Sequence, residues 1–460
     1  MLAAQNKIII VDNMQDELDR LGRSFFNNGL GCRTFLYTVD YDDEPLKNVR
    51  LAFFDINLIS GREVLTDQDI QDILENHTTV LNDIAYAIGQ FIHVDNGPYA
   101  LIFWTKNSAL IGAIRDYIGN EERGYGDLPS PIFIGCLDKT EFDDDDKIVH
   151  LSERVLELIN SNEKLKFLFD LENNAKIAGE KTLNRLASII PREDSWGIST
   201  RFFDNLDMVL SRVAASTLGF EHSKSNPQRA VYEGLVPIVN YEFLNSSSDV
   251  DWREITSQLT NAKAISNLAN PSDIIQHKMN ALYHIEACQD NVKAVRGCVL
   301  EIDRFNEAHM KSLNIEDVDE WITKLLAIKD GSDAQKARKI EILGQSKIVA
   351  IEISAACDYA NKKPRINKYI LGVLTSNLNF KLDSDLNLKN RPESCYHLGG
   401  CCFHANNKDL HIWLNLNYVF GALSTDERLG NSVFILKKEI MDMLGNKYAS
   451  HVSRIGITSL

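Results

Sequence analysis

Four short apolar runs in the first 140 residues each stop at a polar side chain. Ile8-Ile9-Ile10-Val11 ends at Asp12-Asn13, and Ala52-Phe53-Phe54 ends at Asp55. Tyr99 to Trp104 ends at Thr105, and Pro131 to Leu137 ends at Asp138-Lys139. Continuous rather than alternating hydrophobicity predicts strands buried on both faces, as in a parallel sheet wrapped by helices. Open α/β sheets place their ligands outside the carboxyl ends of the strands. The pattern therefore brings two carboxylates, a hydroxyl and an ammonium to one edge.

Beyond Phe142 the pattern changes twice. Asp143-Asp144-Asp145-Asp146 is a run of like charge that prefers water and marks a hinge. From Ile148 to about Asn261 apolar residues recur at helical spacing, as in Leu151, Val155, Leu158 and Ile159, then Leu165, Leu168 and Leu171. Pro191, Gly219, Pro227 and Ser246-Ser247-Ser248 punctuate these helices. From residue 262 on, strand-like runs appear at 294–302, 346–353, 369–374 and 411–416, with helices near 272–288 and 306–330 and helical spacing again from Val433 to Met443. The expectation is a multidomain chain: a doubly wound parallel α/β domain over 1–145, a helical region over 148–261, and an α+β or barrel-like domain over 262–460.

Taken together, Asp12, Asp55, Thr105 and Lys139 resemble the receiver domain of two-component response regulators, a flavodoxin-like fold. The resemblance covers the first 145 residues, about a third of the chain. It implies that Asp55 accepts a phosphoryl group from a sensor histidine kinase. It also implies that Asp12, Asp55 and the backbone carbonyl of Asn57 hold Mg2+, that Thr105 contacts the phosphoryl group, and that Lys139 pairs with it. That chemistry suits these residue types, because a carboxylate attacking an anionic phosphoryl group needs cations and hydrogen-bond donors around the charge that develops. Magnesium itself binds through one or two carboxylates and keeps several waters.

Four positions depart from the receiver pattern. Asn13 stands where a second metal-binding acid is usual, leaving a weak ligand that Asp16 or Glu17 could supplement through water. Thr140 follows Lys139 where a proline is common. Cys136, three before Lys139, replaces the aromatic that reports phosphorylation in many receivers. The stretch from 60 to 97 is long, and reads as an insertion with helical pieces at Asp67–Leu74 and Val80–Ile88.

Charge sharpens the functional expectation. Residues 1–150 hold 12 basic and 26 acidic side chains and carry −14 of the net −16, whereas residues 261–460 are close to neutral at +2. So acidic a receiver disfavours nucleic acid and anionic membranes as partners, and no basic stripe compensates elsewhere. No apolar run approaches the roughly 18 residues of a membrane span, and no secretory leader is evident. Eight cysteines without a disulfide-like spacing point to reduced thiols and a cytoplasmic setting.

The C-terminal text offers other chemistry. Cys395, His397, Cys401 or Cys402, and His404 supply enough soft and imidazole ligands for zinc, though at a spacing unlike the usual separated pairs. Cys357 could serve as a nucleophile, with His397 or His404 as base and Asp358 or Glu352 as orienter. His222 and His277 read as surface or capping histidines rather than phosphotransfer sites. No helix-turn-helix, cyclase, phosphodiesterase or P-loop text is present. In architecture the chain resembles the stand-alone receiver proteins of anti-phage two-component systems such as Detocs, which implies antiviral defence and a role as a phosphate sink. Three function classes stay open: a phosphate-accepting regulator or sink with no activity beyond its own phosphorylation and dephosphorylation, a degenerate docking scaffold, and a receiver-gated effector with an enzymatic C-terminal domain. Under each, a partner effector protein is possible, and the oligomeric state is open.

Overall fold

The computed structural model describes the chain apart from residues 1–6, 39–42, 59–65, 67, 69, 72, 74–78, 143–146, 148–149, 192–195, 289–291, 355–365, 377–379 and 454–460. The chain forms two compact units: residues 1–181 with 242–263, and residues 182–241 with 264–460.

The first unit is built on a five-stranded parallel sheet. Its strands are β1 (Ile8–Asp12), β2 (Arg33–Leu36), β3 (Leu51–Phe54), β4 (Ala100–Thr105) and β5 (Phe133–Asp138), in the spatial order β2-β1-β3-β4-β5. This is the flavodoxin-like doubly wound order, with its switch point between β1 and β3. Helix α1 (Gln15–Asn27) packs Leu18, Leu21 and Phe25 on one face, beside Leu151, Val155 and Ile159 of α4 (Leu151–Asn160). The other face carries α2 (Thr79–Phe91), through Leu81, Ile84 and Ile88, and α3 (Ile111–Ile118), through Ile114 and Tyr117. All four residues of β3 and all six of β4 are buried, as their unbroken apolar text requires. The α/β layer is thus completed by a helix that starts beyond residue 145. Within the long β3–β4 stretch, α2 is the crossover helix that parallel strands require. The piece expected at Asp67–Leu74 and the Asp143–Asp146 run lie largely outside the described residues.

The helical text becomes α5 (Glu163–Ile189), α6 (Thr200–Leu218), α7 (Phe220–Ser225) and α8 (Pro227–Leu244). Glu172, on the part of α5 that belongs to the first unit, accepts from Lys7 at 2.9 Å and from Arg50 at 2.8 Å. Those two cations hold its carboxyl below the usual range despite burial. His222 on α7 is 5 % exposed, which excludes the surface half of the surface-or-capping expectation.

The second unit contains an antiparallel, curled sheet. Its strands are β6 (Ile285–Glu286), β7 (Cys298–Ile302), β8 (Ser346–Glu352), β9 (Asn367–Ser376), β10 (Cys395–His397), β11 (Phe403–Ala405), β12 (Lys408–Ala422) and β13 (Ser432–Leu436). The order is β10-β12-β9-β8-β7-β13-β6, with β11 also on β12. Side chains alternate between two cores. Leu300, Ile348, Leu371 and Trp413 join one, with helices α10 (Glu307–Ser312), α11 (Val318–Leu326) and α12 (Asp333–Gln345). Val299, Val349, Ile370 and Ile412 join the other, with α13 (Lys438–Val452). Helix α9 (Asp273–His284) precedes β6. The helix expected from Val433 to Met443 begins instead as β13, because Val433-Phe434-Ile435-Leu436 is a short apolar run whose periodicity cannot separate strand from buried helix. Among the described residues, no helix is long and apolar enough to cross a membrane.

Candidate functional site

The chain turns from strand to helix directly after Asp12, and Asp12 Oδ1 accepts the Met14 N–H at 2.9 Å. This fixes the carboxylate at the carboxyl end of β1. Asp55 follows β3 next door, its own N–H donating to the Val11 carbonyl at 3.1 Å. Lys139 follows β5 and reaches across the edge, donating to Asp12 Oδ2 at 2.9 Å and Asp55 Oδ2 at 3.1 Å. All three are under a tenth exposed. Thr105 ends β4, opposite Asp138 in register and fully buried, and its Oγ1 accepts the Asn107 N–H at 3.1 Å. The four residues of the sequence pattern therefore stand on the tips of β1, β3, β4 and β5.

Burial raises the Asp12 carboxyl to about 6; Lys139 opposes that rise, while the neighbouring Asp55 charge adds to it. For Lys139 burial pulls downward, yet two adjacent carboxylates outweigh it and hold the ammonium above its ordinary value. The arrangement is a buried cation between two buried anions, in which each charge depends on the others.

Asn13 and Asn57 are joined: Asn13 Nδ2 donates to the Asn57 carbonyl at 2.8 Å. The weak ligand and the backbone ligand of the sequence reading are thus already in contact. Glu17, expected to assist a metal through water, instead accepts from Trp104 Nε1 at 3.2 Å and from Arg20 at 3.3 Å. Arg20 in turn donates to the Phe142 carbonyl at 2.7 Å, tying α1 to the segment after β5. Thr140 is held by Asp138, whose Oδ1 accepts both its N–H and its hydroxyl at 2.8 Å. This side-chain turn fixes the loop that presents Lys139, where receivers use proline. Sequence reasoning missed the roles of Glu17, Arg20 and Asp138, although the acid two residues before Thr140 is an ordinary turn signal.

Does the edge suit a hard divalent cation? Its donors are oxygens: the Asp12 and Asp55 carboxylates and the Asn57 carbonyl, a set that Mg2+ can use while keeping several waters. The residues fit, with one competitor, since the Lys139 ammonium holds the carboxylate oxygens a cation would take. Among the described residues no group of three or more His, Cys, Asp or Glu side chains converges as a metal cage.

The soft-ligand set of the C-terminal unit is split by its sheet. Cys395 belongs to the core that contains Trp413, while Cys401 packs against the core on the opposite face. Strand alternation puts His397, His411 and Asp409 on the Trp413 face. There His397 Nε2 lies 3.0 Å from His411 Nδ1, and Asp409 stands 2.6 Å from His404 Nδ1 and 3.1 Å from His277 Nδ1. Burial drives His397 down to about 3 and His411 to about 4, so both rings are neutral at physiological pH. His404 thus meets an aspartate rather than Cys395 and Cys401, and the four expected zinc ligands do not come together. His277 is an inward partner of Asp409, not a surface residue. Cys357 and Asp358 lie outside the described residues, and Glu352 is fully buried.

Neither a family model nor a curated protein matches this chain.

Proposed function

We propose that the first unit is an atypical receiver in which Asp55 accepts a phosphoryl group from a sensor histidine kinase. The single observation that carries this reading is Lys139 held within 3.1 Å of both Asp12 and Asp55 at the carboxyl edge of a β2-β1-β3-β4-β5 sheet. In the transfer, an Asp55 carboxylate oxygen forms the new bond to phosphorus. The bond from phosphorus to the donor imidazole nitrogen breaks, and that nitrogen leaves with its electron pair and takes a proton. Lys139 then exchanges an Asp55 oxygen for a phosphoryl oxygen and offsets charge on it, and the Thr105 hydroxyl is the hydrogen-bond donor on β4. Magnesium held by Asp12, Asp55 and the Asn57 carbonyl supplies further neutralisation when bound. The acidic surface and the absence of DNA-binding text favour a regulator or phosphate sink that works through a protein partner.

The contact from Asn13 to the Asn57 carbonyl favours a second reading, a docking module that keeps the fold and does not load the metal. One experiment separates them. The full chain is incubated with acetyl phosphate and Mg2+, and separately with a histidine kinase, then read by intact mass. A phosphoryl adduct that hydroxylamine removes and Asp55→Asn abolishes supports phosphotransfer; an unmodified chain with either donor supports the docking module.

A further inference from the structure

The Trp413 face of the C-terminal sheet holds several polar groups that the receiver reading does not use. Thr375 and His411 are directly opposite each other on β9 and β12, and Trp413 lies two residues further along β12. Thr375 and Trp413 are each 1 % exposed, yet among the described residues Thr375 Oγ1 and Trp413 Nε1 have no hydrogen-bond partner. Arg391 lies over the Trp413 ring at 4.4 Å, and its Nη1 likewise has no hydrogen-bond partner among the described residues. On the same indole, His397 stacks at 4.2 Å with planes 14° apart.

Native interiors rarely leave buried donors unmade, because each costs its full desolvation when no partner replaces water. Here Trp413 Nε1, the Arg391 guanidinium that lies over its ring, and Thr375 Oγ1 on the same sheet face share that condition. Burial lowers the guanidinium's affinity for the proton, and the Cys395 thiol is the group that opposes this; no carboxylate contributes. The nearest acid of the row, Asp409, is engaged by His404 and His277. The neighbouring imidazoles are neutral and cannot compensate an anion, so Arg391 is the charge that selects the ligand.

We propose that Arg391, Thr375 and Trp413 form a binding site for a small oxyanion, the phosphate or carboxylate group of a soluble metabolite, with the His397–His411 pair as its neutral wall. Guanidinium and indole N–H are donors only, and the threonine hydroxyl can donate as well, matching a ligand that offers only acceptors. Arginine is also the residue suited to paired recognition of such groups.

The test is calorimetric titration of the full chain, free of divalent cations, with inorganic phosphate and separately with acetate at constant ionic strength. Saturable binding of at least one is expected, weakened at least tenfold in Arg391→Gln and unchanged in Asp55→Asn. Binding of phosphate alone or of acetate alone supports the site and assigns its anion. Thr375→Val, which keeps the side-chain shape and removes the hydroxyl, weakens the same titration and serves should Arg391→Gln fail to fold. Absence of saturable binding of both anions overturns the proposal. So does binding that survives in both Arg391→Gln and Thr375→Val, or binding that Asp55→Asn removes.

Discussion

Two polar clusters sit within the sheets of this protein, and they treat charge in opposite ways. In the first unit Asp12 and Asp55 keep an ammonium between them with almost no access to water. In the second, His397 and His411 lie 3.0 Å apart and shed their protons rather than carry charge inside. The first arrangement retains ions at the rim of a parallel sheet, where a ligand can replace one partner of each pair. The second retains neutral rings on the face of an antiparallel sheet, beside Arg391 and Asp409. Retained charge marks the place where phosphoryl chemistry is proposed; the neutral imidazole pair brings no charge with which to offset a phosphoryl group.

The comparison breaks most visibly at Asp55. Asp55→Asn is expected to abolish incorporation of radiolabel from a phosphorylated histidine kinase, while His397→Gln and His411→Gln leave it intact. Label that survives in Asp55→Asn, or that depends on either histidine, would reverse the roles of the two clusters.

The next effects are on stability, and their signs differ. Histidines with lowered native pKa values contribute stability that is complete above the unfolded value near 6.5. That stability is lost as pH falls toward about 4 and then 3. For this pair the loss is on the order of 8 kcal/mol. Asp12 runs the other way: its raised value favours the folded state below about 4, and that advantage disappears as pH rises through about 6. The magnitude is about 3 kcal/mol. Urea unfolding of the metal-free full chain, followed by methyl NMR, reads both. Signals from Ile348 and Ile412 should show weakening toward acid, and those from Ile9 and Ile10 weakening toward neutral pH. Asp12→Asn should flatten the second slope and leave the first unchanged. Parallel slopes in the two units would contradict the contrast.

The smallest expected effect concerns Asn13. Asn13→Asp removes the amide from the Asn57 carbonyl and adds a third carboxylate, so Mg2+ should bind about tenfold more tightly, roughly 1.4 kcal/mol. Titration calorimetry measures it. An unchanged affinity would mean that Lys139, not Asn13, limits metal binding.

Much of the first unit was legible because fully buried strands leave an unbroken apolar text that ends where the ligand edge begins. Asp12, Asp55, Thr105 and Lys139 each follow such a run, and the sheet order does the rest. Glu17, Arg20 and Asp138 were not legible, since their roles depend on Trp104, Phe142 and Thr140 brought in by tertiary packing. In the second unit the zinc reading grouped Cys395, His397, Cys401 and His404 by nearness along the chain. The Gly399–Gly400 turn, with both residues at positive φ, lies before Cys401, which packs on the other face of the sheet. Asp409, which engages His404, sits across a tight β11–β12 hairpin and His277 lies more than a hundred residues away. Alternation predicts a face; it does not predict which distant helix covers it.

The most direct test of the proposed phosphoacceptor is fluorine NMR of the full chain with Mg2+, beryllium and fluoride. Beryllofluoride bound at Asp55 should give protein-bound resonances that require Mg2+ and vanish in Asp55→Asn, while Arg391→Gln leaves them in place. A spectrum with only free fluoride species, or bound signals indifferent to Asp55, would contradict the account.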